Sequence, residues 1–145
     1  MLADNLKILL ASTFSYYIKA SFFHWNCSGM AFPSYHNLFG DIYEGAQDTI
    51  DTIAEEIRTL RSHAPGSLIR YSELSVIQDQ TKIPKLELMI SELLADTEMM
   101  IELVNECLQY AKAEEKADIE NYMAELIAFY SKYRWQLESC LEIEE

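Results

Sequence analysis

The sequence predicts an all-α protein, a single domain built as a four-helix bundle with a short extra helix between its second and third long helices. Three observations lead there. Four stretches repeat apolar residues at the 3.6-residue period of an amphipathic helix. Their connections run from two to about twenty residues, as in bundles with one long crossing. And half of the 145 residues are hydrophobic, with only 4 Gly and 3 Pro, a composition poor in turns.

The first helix is expected from Asp4, a fitting N-cap, to about position 27, with Leu6, Leu9, Leu10, Thr13, Tyr17, Ile18, Ala20 and Phe22 facing inward. His24 and Trp25 fall in its last turn, and Trp25 reads first as a core residue. Residues 28–33 form a turn in which Gly29 can take a positive φ. Ser34 then caps a second helix that runs to about 62, where His63-Ala64-Pro65-Gly66 stops it. Residues 67–82 are a connector with a helical piece near 72–79, anchored by Leu74, Val76 and Ile77. Pro84 opens a third helix to about 112, whose inward stripe includes Leu86, Met89, Ile90, Leu93, Met100, Val104 and Leu108. Met89, Met99 and Met100 read as gap-filling core residues. The fourth long helix spans about 116–142, with Ile119, Met123, Leu126, Ile127, Tyr130, Trp135 and Leu137 as core.

The second helix also carries a stripe of acids, Asp41, Glu44, Asp48, Asp51 and Glu55, at alternating spacings of three and four. That spacing puts them along one side of the helix. Like charges so placed each cost an isolated helix a few tenths of a kcal/mol, and a solvated face is the plain explanation. The histidines just upstream give the stripe another use, because imidazole with carboxylate is a ligand set for iron, zinc and manganese. A helix rises about 1.5 Å per residue, so His36 and Asp51 stand roughly 22 Å apart and cannot hold one ion within one chain. They meet only if two copies of the helix run antiparallel about a two-fold axis, the commonest oligomer symmetry. Asp51 and Glu55, at i and i+4, then face the histidines of the other copy.

His24-Trp25-Asn26, Gly29, a second histidine at His36, and Asp51 with Glu55 fifteen residues beyond it resemble the Dps family of mini-ferritins. The resemblance continues through Ala64-Pro65-Gly66-Ser67-Leu68 to Trp135, over nearly the whole chain. It implies a ferritin-like bundle, twelve copies of which assemble into a hollow shell. It further implies iron (Fe²⁺/Fe³⁺) oxidised by hydrogen peroxide or oxygen at centres shared across two-fold interfaces, with His24, His36, Asp51 and Glu55 as ligands and catalytic residues. Trp25 would stand near the site. Iron storage as Fe³⁺ and protection from oxidative stress are the function implied. The family pattern has an Asp four residues after the second histidine, and here that position is Gly40. Asp41 and Glu44 are the nearest substitutes, although one residue of shift turns a side chain by about 100°. The acids Glu114, Asp118 and Glu120 complement the dipole of the last helix; the resemblance offers them a second role, lining a pore for iron entry.

The formal charge of −13, with only 11 Lys and Arg and no basic tail, is wrong for binding DNA phosphates, so DNA is not an expected partner. Three cysteines without a CxxC pair suggest neither a disulfide framework nor a zinc ribbon. The start of the chain lacks a basic, then apolar, leader, and the expected location is the cytoplasm. A divalent-metal-binding or structural shell without efficient oxidation is the rival reading, because of Gly40.

Overall fold

The computed structural model describes residues 1–141. Five helices follow one another: α1 (Leu2–Asn26), α2 (Phe32–Thr59), the short α3 (Leu68–Leu74), α4 (Leu86–Ala113) and α5 (Ala117–Cys140). The hairpins α1–α2 and α4–α5 pack against each other chiefly through α1 and α4, and α3 lies on α1. The four long helices thus form the bundle, and the long connection between α2 and α4 carries the fifth. Position 142, where the fourth long helix is expected to end, lies outside the described residues.

Helix boundaries depart from the sequence reading where tertiary contacts take over from local caps. α1 begins at Leu2 rather than Asp4, because the Leu2 N–H donates to Glu114 Oε2 at 2.8 Å. The cap is supplied from the end of α4, and Asp4 sits in the first turn, where it favours the dipole. α2 begins at Phe32 rather than Ser34; Pro33 fits its first turn, and the Phe32 N–H reaches Gly29 O at 3.1 Å. Gly29 adopts a φ of +116°, the conformation expected of it. The short helix is Leu68–Leu74 rather than 72–79: Ser67 caps it by accepting from the Arg70 N–H at 3.2 Å, and Ser75 is already extended.

The core is one apolar cluster drawn from all four long helices, including Leu6, Leu9 and Phe23 of α1, Phe39, Ile42 and Ile53 of α2, Ile90, Met100 and Val104 of α4, and Met123 and Leu137 of α5. Each such side chain contributes about 1.5–3 kcal/mol by leaving water. Trp25 and Trp135, expected in the core, are 68% and 62% exposed. The inward positions belong to Phe23 and Leu137, and two residues along a helix is a turn of roughly 200°. Met99, also expected inside, is exposed, whereas Met89 and Met100 are buried.

Two polar pairs are folded into this core. Lys19 Nζ meets Asp96 Oδ2 at 2.8 Å between α1 and α4, both nearly out of solvent. Tyr16 Oη and Thr97 Oγ1 are 2.7 Å apart. Thr97 spends its one hydroxyl hydrogen on Leu93 O at 2.6 Å, so Tyr16 is the donor to Thr97. The Tyr16 ring in turn meets Tyr130 of α5 edge-on, with centroids 5.5 Å apart. Among the described residues, no helix is long and apolar enough to cross a membrane.

Candidate metal centre

The tight α1–α2 turn brings His24, in the last turn of α1, against His36, in the first turns of α2. Their rings stack with centroids 3.7 Å apart and planes 16° from parallel. Each ring is tied to the other's backbone: His24 Nδ1 lies 2.5 Å from His36 O, and His36 Nδ1 lies 2.7 Å from His24 O. A carbonyl oxygen only accepts, so each Nδ1 carries the hydrogen and donates. In the neutral imidazole this leaves both Nε2 atoms with free lone pairs, the tautomer a metal-ligating histidine needs. Backbone acceptors at the far nitrogen are also the usual means of orienting such ligands. The two Nε2 atoms therefore offer half of a four-ligand set, and further ligands are needed to hold an ion.

Gly40 lies one turn beyond His36 on the same face of α2. A Cβ there would stand 3.0 Å from His24 Cε1 and 3.1 Å from His24 Nδ1. The position at which the resemblance implies a carboxylate is thus pressed by an imidazole. Tyr43, another turn along, places its ring 5.2 Å from that of His24. Trp25 does not take this place; it lines a surface groove with Tyr17, Ile18 and Phe22. The sequence reading missed Tyr43, although its position seven residues after His36 puts it on the same helix face.

The acidic stripe is where the spacing placed it. α2 runs unbroken from Phe32 to Thr59, and Asp41, Glu44, Asp48, Asp51 and Glu55 are all exposed along it. Asp51 and Glu55 therefore stay on the same helix as His36 but far along it. Asp41 and Glu44 are not gathered with the histidines either: among the described residues no three His, Cys, Asp or Glu side chains converge closely enough to hold a metal. Instead the Asp41 backbone carbonyl accepts from Tyr133 Oη at 2.9 Å, tying α2 to α5. Burial, followed by the carboxylates of Asp41 and Glu44, pushes the Tyr133 phenol above its ordinary pKa.

The acids read as pore residues separate in their roles. Glu114 caps α1 through the Leu2 N–H, while Asp118 and Glu120 occupy the first turn of α5. Asp118 stands close enough to Glu56, near the end of α2, to reinforce the upward pKa shift that burial gives Glu56. Cys107 is buried between the helices, and its thiol is pushed up to about 12 by burial, which makes it an inert core residue.

The all-α bundle, its hairpin pairing and its inter-helix histidine pair define a protein of the ferritin-like class. The ferritin-like domain family matches residues 3–145, and the chain belongs to it, as a member of the Dps family. The "DNA protection during starvation protein" of Helicobacter pylori is 29% identical over 139 residues, covering 95% of this chain and 96% of that protein. The crystal structure of a Dps protein from Bacillus brevis aligns with a TM-score of 0.94 at 25% identity, over 97% of this chain and 95% of that one. The Dps protein of Vibrio cholerae O1, described as one of the ferritin-like diiron-carboxylate proteins, aligns with a TM-score of 0.93 at 26% identity, over 97% and 89% of the two chains.

Proposed function

We propose that this chain is the subunit of a mini-ferritin shell that oxidises Fe²⁺ with hydrogen peroxide and retains the Fe³⁺ inside. The observation that carries this reading is the reciprocal His24–His36 pair, whose Nδ1 atoms are held by backbone carbonyls and whose Nε2 atoms are left free to bind. Fe²⁺ is the substrate. His24 and His36 receive it as neutral donors, and Asp51 and Glu55 of a second copy supply the negative oxygens that favour Fe³⁺ over Fe²⁺. The separation along the unbroken α2 makes the second copy a requirement, so the active form is a homo-oligomer, a dodecamer in this reading. Oxidising equivalents consumed here make no free hydroxyl radical, so the consequence is protection from oxidative stress in the cytoplasm. The formal charge of −13 draws cations toward such a shell and repels DNA.

Gly40 favours a second reading, a metal-binding or structural shell with slow oxidation. Iron retention separates the two. Apoprotein is given Fe²⁺ without oxygen, then peroxide, and passed over a sizing column with iron read in each fraction. Iron co-eluting with a large particle, well above the number of binding sites, is the expected result. A large particle with only site-bound iron would establish the second reading, and a small iron-free species would defeat both. A gel-shift assay at low salt tests the expected lack of DNA binding.

A further inference from the structure

Between α1 and α4 a buried amine and a buried carboxyl face each other in contact. Lys19 Nζ lies 2.8 Å from Asp96 Oδ2, and the two side chains are only 6% and 9% exposed. Glu92 stands one turn before Asp96 on the same face of α4. Its Oε1 accepts from Gln80 Nε2 at 2.6 Å, and Gln80 is itself fixed by accepting from the Lys82 N–H at 2.9 Å. Glu92 Oε2 is buried, and among the described residues no group donates to it. A cavity of about 380 Å³ opens beside the three side chains and is lined by all of them. One ammonium thus shares this space with two carboxylates, one of which keeps an idle acceptor.

An amine and a carboxyl condense to an amide when they are held together away from water. Fixing two reactants in contact is worth an effective concentration of about 10⁵–10⁸ M. Burial pushes the Asp96 carboxyl above its ordinary value of 3.8, against the pull of Lys19, and Glu92 adds to the rise. That favours the protonated acid, which an amine can attack. We propose that Lys19 and Asp96 condense to an intramolecular isopeptide bond, with Glu92 as the proton carrier. One ammonium proton first crosses to the Asp96 carboxylate, leaving a neutral amine and a neutral acid. The Nζ lone pair then attacks Cγ and the C–N bond forms. Glu92 Oε2 takes a proton from the nitrogen and hands it to the departing hydroxyl as the Cγ–O bond breaks. Ammonium and carboxylate become an amide and one water, with no net proton and no oxidant, and Glu92 ends as it began. The water leaves through the cavity. Only the minor neutral form of the pair reacts, so the chain folds with the ion pair and the amide accumulates slowly afterwards. The bond ties the α1–α2 hairpin to the α4–α5 hairpin and closes residues 19–96 into a loop. It does not depend on the iron reading.

The test holds the full-length protein at neutral pH, just below its melting temperature, for days and follows its intact mass. The expected result is a growing species lighter by one water, whose digest yields a branched peptide joining the Lys19 and Asp96 segments. That species should also unfold at a higher denaturant concentration than the starting protein. Glu92→Gln can still accept from Gln80 and should slow the loss by at least about a hundredfold. Lys19→Arg keeps a cation opposite Asp96 but offers no reactive amine, and should form no branched peptide. A wild-type mass that stays at its sequence value would overturn the proposal. So would a loss of water confined to the peptide containing Asp96, as closure of that side chain onto its own backbone gives. An undiminished rate in Glu92→Gln would overturn the part given to Glu92.

Discussion

Gly40 and His24 are in such close register that a Cβ on the glycine would lie 3.0 Å from the imidazole Cε1. The missing carboxylate is therefore not simply an empty place, since the ring stands against the backbone where that side chain would emerge. Gly40→Asp forces His24 to give by a few tenths of an ångström against its hydrogen bond to His36 O. Strain of this kind costs about 1–3 kcal/mol, of which the better helix propensity of Asp returns only a few tenths. The variant is expected to melt earlier than wild type by chemical denaturation, yet to raise the iron oxidised per peroxide toward two. An unchanged ratio would mean that position 40 does not limit the second iron.

The direction of the Tyr16–Thr97 hydrogen bond sets an order between two core variants. Tyr16→Phe removes the donor and leaves Thr97 still bonded to Leu93 O, at a cost of about 1 kcal/mol. Thr97→Val leaves the buried Tyr16 hydroxyl with no acceptor, a loss of roughly 1–3 kcal/mol. Urea unfolding of the two variants should place Thr97→Val below Tyr16→Phe. The opposite order would mean that the bond runs the other way.

Lys19 and Asp96 give a prediction in pH. Burial raises the Asp96 carboxyl above its ordinary value of 3.8; the Lys19 hydrogen bond and charge pull it down, and Glu92 adds to the rise. Folded protein thus holds this proton more tightly than unfolded protein, and through the window above 3.8 the group's contribution to stability falls as pH rises. Lys19→Met removes the pull and leaves a buried carboxylate unpaired, a loss of about 3–5 kcal/mol at neutral pH. Because the wild-type carboxyl is itself raised above 3.8 and the variant's is raised further, the difference from wild type should shrink as pH falls toward the raised wild-type value, below which both proteins hold the proton. A pH-independent difference in melting temperature would show that lost packing, not the unpaired charge, is responsible.

Glu115 ends α4 with a φ of +57°, and the next N–H, of Lys116, returns to Ala111 O at 2.9 Å. This is the left-handed position that glycine usually fills after a helix. A side chain there costs about 1–2 kcal/mol, while glycine adds roughly 0.5–1 kcal/mol of chain entropy to the unfolded state. Glu115→Gly is expected to gain a few tenths to 1 kcal/mol in denaturant unfolding. A loss would mean that the Glu115 side chain itself stabilises the turn.

The four long helices were legible because each needs one apolar stripe, and the sequence displays those stripes at the right period. Their ends were less so. The cap of α1 comes from Glu114, at the other end of the sequence, and no local pattern at Met1 or Asp4 announces it. Trp25 and Trp135 were misplaced because hydrophobicity says what a side chain prefers, not which way the helix turns it; Phe23 and Leu137 fix the inward phase. At the candidate site, the spacing singled out His24 and His36 as proposed ligands and placed Asp51 and Glu55 too far along α2 to join them in one chain. The crossed Nδ1 bonds and the Tyr43 contact depend on how the α1–α2 turn stacks the two rings, and spacing carries no information about that. In the proposed site the outward-facing acids of α2 are supplied by a second copy, which a single chain's sequence does not display.

The central claim is that one chain lends its histidines and another its carboxylates, and complementation tests it most directly. His24→Ala and Asp51→Ala variants, each made alone, should assemble but oxidise Fe²⁺ poorly. Co-expressed, they form interfaces in which the intact histidine of one copy faces the intact Asp51 of the other. With random mixing across a two-fold interface, about a quarter of the sites are rebuilt, and peroxide-dependent iron oxidation should return to about that fraction of wild type. Mixed particles no more active than either parent would contradict a site shared between chains.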